Sequence, residues 1–256
     1  MLTVLGVSFV VAALAMTVTA VVSRRIGRVS VVDVTWGVAL TLVALVSALL
    51  GDGTAWRRWL VLVLVAAWGL RLSWHIFVRQ RGGGEDPRYA ALLGDGGFAA
   101  AVRKVFLIQG AAIWFVALPV MVGAATDVAW AWLVWVGVAV WVLGVVFESV
   151  GDAQLAAYKA DPDRGPVMDR GLWGWTRHPN YFGDACVWWG IWLAGGLASG
   201  WVAGLASVLA PVTMTFWLVL VTGARLLERT MMKRPGYPEY AARTSMFVPL
   251  PPRRQL

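Results

Sequence analysis

Apolar positions fall into seven runs of close to twenty residues with almost no charge inside them: 2–22, 31–50, 59–78, 105–123, 128–147, 182–198 and 201–222. About 20 apolar residues, rising 1.5 Å each, span the roughly 30 Å hydrocarbon core of a bilayer, so every run predicts a transmembrane helix. Polar positions collect in three long segments between or after the runs, 79–104, 148–181 and 223–256. The pattern predicts an all-α polytopic membrane helical bundle of about seven transmembrane helices. It forms a single integral membrane domain over 1–256, with no large soluble domain. Ser23, Arg24 and Arg25 follow the first run directly and no basic leader precedes it, so that run is expected to be a retained span and not a signal peptide.

Composition agrees with this reading. The chain is 59% hydrophobic and only 14% charged, and its mean hydropathy is +0.70, which excludes a disordered chain, a collagen-like polymer or a coiled coil. The net charge of +8 would suggest nucleic acid in a soluble protein. In a chain this apolar it reflects Lys and Arg retained on the cytoplasmic side, and no nucleic-acid partner is expected. In the seven-span reading every Lys and Arg except Arg57, Arg58 and Arg71 falls on one side, which puts the N-terminus outside and the C-terminus in the cytoplasm. A single cysteine, Cys186, with only His75 and His178, leaves no disulfide and no metal-binding set.

Function is expected in the three polar segments. Gly82, Gly83 and Gly84 form a loop without the strand and helix that a dinucleotide fingerprint requires. The densest polar run is Gly171 to Asp184, GLWGWTRHPNYFGD, leading into the sixth span. Arg177 offers a fork of donors for phosphate or carboxylate, and His178 can donate or shuttle a proton. Asn180 and Asp184 are one helical turn apart, and Tyr181 lies between them. Upstream, Glu148, Asp152, Leu155 and Lys159 share one stripe of a helix continuing out of the fifth span; downstream, Arg225 and Glu228 share a face, followed by Tyr237 and Tyr240. Each group also has a plainer reading: a cap and interfacial anchors, a solvated face, and a patch for anionic lipid.

Taken together, these motifs resemble the DUF1295 branch of the steroid 5α-reductase family. The resemblance extends to the V-D-x-x-W-G of Val32 to Gly37 and the E-D-P-R-Y of Glu85 to Tyr89. The shorter R-H-P-x-Y element is also similar to the isoprenylcysteine carboxyl methyltransferase fold. The family resemblance implies a reductase with a substrate-side half over 1–104 and an NADPH-binding half over 105–256. The implied cofactor residues are Asp152, Lys159, Trp173, Arg177, His178, Asn180, Asp184, Arg225, Tyr237 and Tyr240, with Tyr181 and Glu228 beside them. Family members resemble one another in a Gln-Glu pair on the second span and a Tyr on the next polar span. Here the nearest equivalents are Val32-Asp33 and a third span with Trp68, Arg71 and His75 but no Tyr. Asp33, Arg71 and His75 are therefore the catalytic candidates, and Asp33 has the equal alternative of a structural partner for Arg71.

Three functions are carried forward. The first is an NADPH-dependent reductase acting on an activated carbon–carbon double bond of a lipophilic substrate of sterol, polyprenyl or fatty-acyl type, in a bacterial cytoplasmic membrane. The second is an S-adenosylmethionine-dependent membrane methyltransferase, and the third a non-enzymatic lipid-binding or transport protein. Membrane lipids are expected partners of all three. The charge pattern predicts that alkaline phosphatase fused after the C-terminus is inactive and a fluorescent protein fused there is bright. An active phosphatase fusion overturns the orientation.

Overall fold

The computed structural model describes residues 1–221 and 223–252. Among the described residues the fold is helical, with one isolated bridge pairing Thr176 with Ser245 in place of any sheet. The helices are α1 (Leu2–Ile26), α2 (Val31–Leu50), α3 (Ala55–Gln80), α4 (Pro87–Leu93), α5 (Gly97–Val116), α6 (Leu118–Ala124), α7 (Ala131–Ala160), α8 (Pro179–Ile191), α9 (Trp201–Val221, with a second part Ala224–Met231) and α10 (Tyr237–Arg243).

Six of these, α1, α2, α3, α5, α7 and α9, are long and apolar enough to cross a membrane. The expected span over 182–198 is not among them. Its regular helix ends at Ile191 and continues as a π-turn over Trp192–Gly196 and a 3₁₀ turn over Leu197–Ser199. Gly183, Asp184, Trp188 and Gly190 in this stretch are buried. A helix enclosed by protein does not need the apolar surface that lipid demands, and these residues lower its hydropathy.

Local sequence explains the helix ends. Gly27, in the left-handed region at φ 71°, stops α1 by returning its N–H to the Ser23 carbonyl. Asp86 caps α4 by accepting the Arg88 N–H, and Pro87 occupies the first turn, where its missing N–H costs nothing. Along α1 the buried positions Val4, Ser8, Ala12, Met16, Thr19 and Ser23 are mostly small, whereas Phe9, Val10, Leu14, Val18 and Val21 are exposed. Large apolar groups outside and small groups inside is the arrangement of a helix solvated by lipid. The inward hydroxyls are satisfied internally: Thr19 Oγ1 bonds the Ala15 carbonyl at 2.7 Å and Thr35 Oγ1 at 2.9 Å.

The chain divides into two compact units. The first comprises Met1–Trp135 with Ile191–Ala210. Its centre is the pair α2 and α3, whose backbones meet at Gly37 and Gly69. A methyl group on Gly37 would come within 1.9 Å of the Gly69 carbonyl oxygen. Ser73 Oγ donates to the Val34 carbonyl at 2.7 Å across the same seam, and Leu40, Val43, Val65 and Trp68 are buried around it. At the start of α3, Arg57 is fully buried, and its guanidinium donates to Ser199 Oγ (2.7 Å) and the carbonyls of Gly123 (2.6 Å) and Thr126. One of the three basic residues outside the charge pattern is thus an internal brace. Trp56 stacks on Trp135, and Trp130 packs edge-on to Trp201, forming an aromatic belt around the starts of α3, α7 and α9.

The second unit comprises Val136–Gly190 and the chain from Pro211 onward. Its seam is a set of glycines seven residues apart: Gly137, Gly144 and Gly151 on α7, Gly183 and Gly190 on α8. Added methyl groups at Gly144 and Gly183 would each lie 2.5 Å from the other residue's carbonyl oxygen, and one at Gly190 would lie 2.6 Å from the Gly137 carbonyl. Gly151 abuts Pro179 at the other end of the pair. Two turns of helix separate successive glycines, so the two backbones touch repeatedly along one line.

This seam carries a prediction. Gly144→Val should destabilise the protein by about 1–3 kcal/mol through overpacking. Gly6→Ala, at a position with open space around it, should cause no loss. Thermal unfolding in detergent, followed by tryptophan fluorescence, measures both; an unchanged Tm for Gly144→Val refutes the seam.

Candidate functional site

In each unit polar side chains gather around a carboxylate. In the first unit the cluster forms where the 85–89 segment folds over the N-terminus of α2. Glu85 accepts the N–H groups of Val29 and Ser30, two donors with no carbonyl partner inside the helix. Burial opposes ionisation of Glu85, but these N–H donors outweigh it and hold the carboxyl below its ordinary range. Gln80 Nε2 adds a bond to the Ser30 carbonyl, tying the end of α3 to the same turn.

Anchoring Glu85 brings the next residues onto Asp33, in the first turn of α2. Tyr89 donates its hydroxyl proton to Asp33 Oδ1 at 2.5 Å, and Arg88 Nη2 donates to Oδ2 at 3.2 Å. Gln109, on α5, donates Nε2–H to the Tyr89 hydroxyl at 3.1 Å and accepts from the Trp36 indole. The result is a directed chain from Trp36 through Gln109 and Tyr89 to Asp33, drawn from α2, α4 and α5. Tyr89 is buried. Burial, with the Asp33 carboxylate adding to it, pushes the phenol above its ordinary value, so it keeps its proton at neutral pH. Asp86 holds Arg88 from the other side at 2.9 Å, and the two carboxylates keep Arg88 charged.

In the second unit the centre is Glu228, on α9. Arg177 grips it with two parallel bonds, Nε to Oε1 at 2.6 Å and Nη2 to Oε2 at 2.9 Å. Its remaining terminal nitrogen donates to the carbonyls of Ala241 and Thr244. His178 Nε2 lies 3.2 Å from the same Glu228 oxygen, and the Tyr237 hydroxyl 3.5 Å. The His178 ring stacks on Tyr181, 5.5 Å between centroids and nearly parallel. Burial works against the Arg177 cation, but the Glu228 bonds more than compensate and raise its pKa. The Tyr237 phenol is pushed up to about 12 by burial and by the Glu228 charge.

The chain after α10 is fixed by the same residues. The Arg177 N–H bonds the Ser245 carbonyl at 2.9 Å, Thr176 Oγ1 bonds those of Met246 and Phe247, and the Leu250 N–H bonds Trp175. Tyr240 donates to the Trp173 carbonyl, and the Trp173 indole donates to Gly151 at 3.0 Å. Arg177, Trp173 and Tyr240 therefore brace the fold, and Arg177 has most of its donors committed.

The other expected residues lie on α3, α7, α8 and α9. Asn180 uses its side-chain oxygen on the Tyr181 N–H at the start of α8, and Asp184 is buried one turn further on. On α7, which runs unbroken to Ala160 as expected, Asp152 is half-buried and Lys159 exposed. Arg225 is exposed on α9, and Arg71 and His75 are half-buried one turn apart on α3. Arg88 is a cation bonded to Asp33. Sequence reasoning missed Arg88, Tyr89, Gln109 and Trp36 as partners of Asp33. The available signal was the compact acid, proline, cation and phenol sequence of Glu85 to Tyr89.

The family described as protein of unknown function DUF1295 matches residues 19–244, and the chain belongs to it. No curated protein and no solved structure matches the chain.

The brace generates the next prediction. Arg177→Met removes four hydrogen bonds and leaves the Glu228 carboxylate without its cation, so it should cost about 3–5 kcal/mol. Arg177→Lys should recover little, because an ammonium cannot reproduce the fork. Thermal unfolding and protease release of the segment after Arg243 are the measurements. Wild-type stability in both variants refutes the bracing role.

Proposed function

We propose that this DUF1295 member is an NADPH-dependent membrane reductase. It adds a hydride to an activated carbon–carbon double bond of a lipophilic substrate, of sterol, polyprenyl or fatty-acyl type, in a bacterial cytoplasmic membrane. The observation that carries the reading is the Tyr89 phenol, held between Gln109 and Asp33 with Arg88 on the far carboxylate oxygen. The family resemblance calls for an amide, a carboxyl and a phenol together. Gln109, Asp33 and Tyr89 supply that set from three separate segments.

The chemistry favours this use of the cluster. Reducing a double bond conjugated to a carbonyl places negative charge on the carbonyl oxygen, and a fixed donor in a water-poor site stabilises that charge without reorganisation. A phenol that stays protonated at neutral pH can donate a hydrogen bond or its proton there. Gln109 orients the Tyr89 oxygen, Asp33 receives the hydroxyl in the resting state, and Arg88 offsets the negative charge of the cluster. Methyl transfer to a nucleophile makes no oxyanion that needs a proton donor, so the same phenol would be idle in a methyltransferase.

The second unit suits the cofactor in its donor set. Arg225, Arg229, Lys233 and Arg234 are exposed cations within ten residues, fit for phosphates, with Lys159 exposed at the end of α7. Glu228, His178 and Tyr237 offer acceptors and donors for ribose hydroxyls and a carboxamide. NADPH, when bound, supplies the hydride.

Purified protein in detergent should bind NADPH and not S-adenosylmethionine in calorimetry; the reverse preference overturns the reading. Tyr89→Phe and Asp33→Asn should leave NADPH affinity unchanged. Each should lower turnover on a panel of lipophilic enones, followed by loss of NADPH absorbance, by about 10²–10⁴-fold. Full activity in Tyr89→Phe removes the phenol from the mechanism.

A further inference from the structure

Away from both clusters, α1 and α5 in the first unit border an open groove of about 770 Å³. Its walls are methyl groups and rings, including Phe9, Met16, Phe98 and Phe106, and no acidic side chain lines it. The two helices touch where Gly110 faces Met16; a methyl group added at Gly110 would lie 3.1 Å from Met16 Cγ. A π-turn over Val102–Phe106 contributes two of the lining residues. Such turns insert one extra residue into a helix and occur disproportionately at functional positions.

One end of the groove is charged. Arg24 and Arg25 line it at the last turn of α1, and the Arg24 guanidinium lies over the Phe98 ring at 5.3 Å. Both helices are long and apolar enough to cross a membrane. The groove therefore combines an apolar trough, on helices solvated by acyl chains, with paired cations where α1 ends. From Arg24 to Phe9 the trough follows 15 residues of α1, about 22 Å at 1.5 Å per residue. That exceeds the roughly 15 Å of hydrocarbon in one leaflet, enough to take a full acyl chain.

We propose that this groove is a binding site for an anionic phospholipid, with one acyl chain lying along α1 and α5 and the headgroup phosphate between Arg24 and Arg25. Charge complementarity selects the occupant. A zwitterionic phospholipid also offers a phosphate, but its own ammonium offsets that charge beside the two arginines, whereas an anionic headgroup keeps a net negative charge and accepts from the planar forks of both. Basic sites at the ends of transmembrane helices bind anionic headgroups by this chemistry. The inference goes beyond the reductase reading, and its test does not use activity, so either can fail alone.

The full chain is reconstituted in vesicles of equal phosphatidylglycerol and phosphatidylcholine with identical acyl chains, extracted gently, and examined by native mass spectrometry. Wild type should retain one lipid with phosphatidylglycerol enriched several-fold. Arg24→Gln with Arg25→Gln should abolish the enrichment, and Arg24→Lys with Arg25→Lys should keep most of it. Ala13→Trp, on the exposed floor of the trough, should lower retention of both lipids at unchanged Tm. Equal retention of the two lipids by wild type overturns the proposal. So does enrichment that survives the double glutamine variant, or a dimer that Ala13→Trp dissociates, which would give the groove to a second copy of the chain.

Discussion

A helix in hydrocarbon gains nothing by burying apolar side chains against another helix, because the lipid is equally apolar. What remains is close backbone contact and the obligation to satisfy every polar group within the protein. Both are visible at the centre of each unit. Gly37 against Gly69, and Gly144 against Gly183, bring helix backbones to distances that a single methyl group would prevent. Dispersion between the backbones then operates at short range over many atoms, in place of the missing hydrophobic term. The outward faces need only be apolar, and α1 shows the consequence in its exposed Phe9, Leu14 and Val18.

The polar obligation explains why the two clusters take the same form. Each places a carboxylate where unpaired N–H donors or cations already exist, and then uses it to attach a distant segment. Glu85 answers the open N–H groups at the start of α2, and in doing so delivers Arg88 and Tyr89 to Asp33. Glu228 answers Arg177, whose other nitrogen binds the carbonyls of Ala241 and Thr244 and fixes the chain that follows α10. Arg57 does the same work by meeting the hydroxyls of Ser199 and Thr126 and the main-chain carbonyls of Gly123 and Thr126. Local stability and chemical positioning thus come from the same bonds.

How much of this could be read from the chain follows from the range of the interactions. The spans were legible because hydropathy is a sum over neighbours, and the run from Gly171 to Asp184 stood out because its polar residues are contiguous. The exception at 182–198 arises because its regular helix ends at Ile191 and passes into a π-turn and a 3₁₀ turn, a change of winding that a sum of hydropathies does not register. Asp33 stands out as an acid in a span, but its partners Arg88 and Tyr89 lie 55 and 56 residues away on α4, and Gln109, which bonds Tyr89, lies 76 away on α5, which no local pattern encodes. Arg177 stands out in the sequence, and its bonding partners do not. Its fork suits a phosphate in isolation, and only the fold reveals that Glu228 and two carbonyls occupy it. The seven-residue spacing of Gly137, Gly144 and Gly151 was present in the sequence, and it acquires meaning only beside the same spacing on α8.

The contrast between Arg177 and Tyr89 bears on where chemistry can reside. A guanidinium with four bonds to protein atoms has little capacity left for a ligand. Any group that took its place on Glu228 would also loosen Ala241, Thr244 and the chain beyond them. The contacts of His178 and Tyr237 with Glu228 are longer and single, 3.2 and 3.5 Å. Tyr89 is differently placed. It accepts one bond and donates one, and turning its hydroxyl away from Asp33 breaks only the donated bond while Arg88 still neutralises the carboxylate. In the first unit's cluster the Tyr89 phenol can exchange one partner for another without disturbing the backbone, which is what the proposed reduction asks of its proton donor.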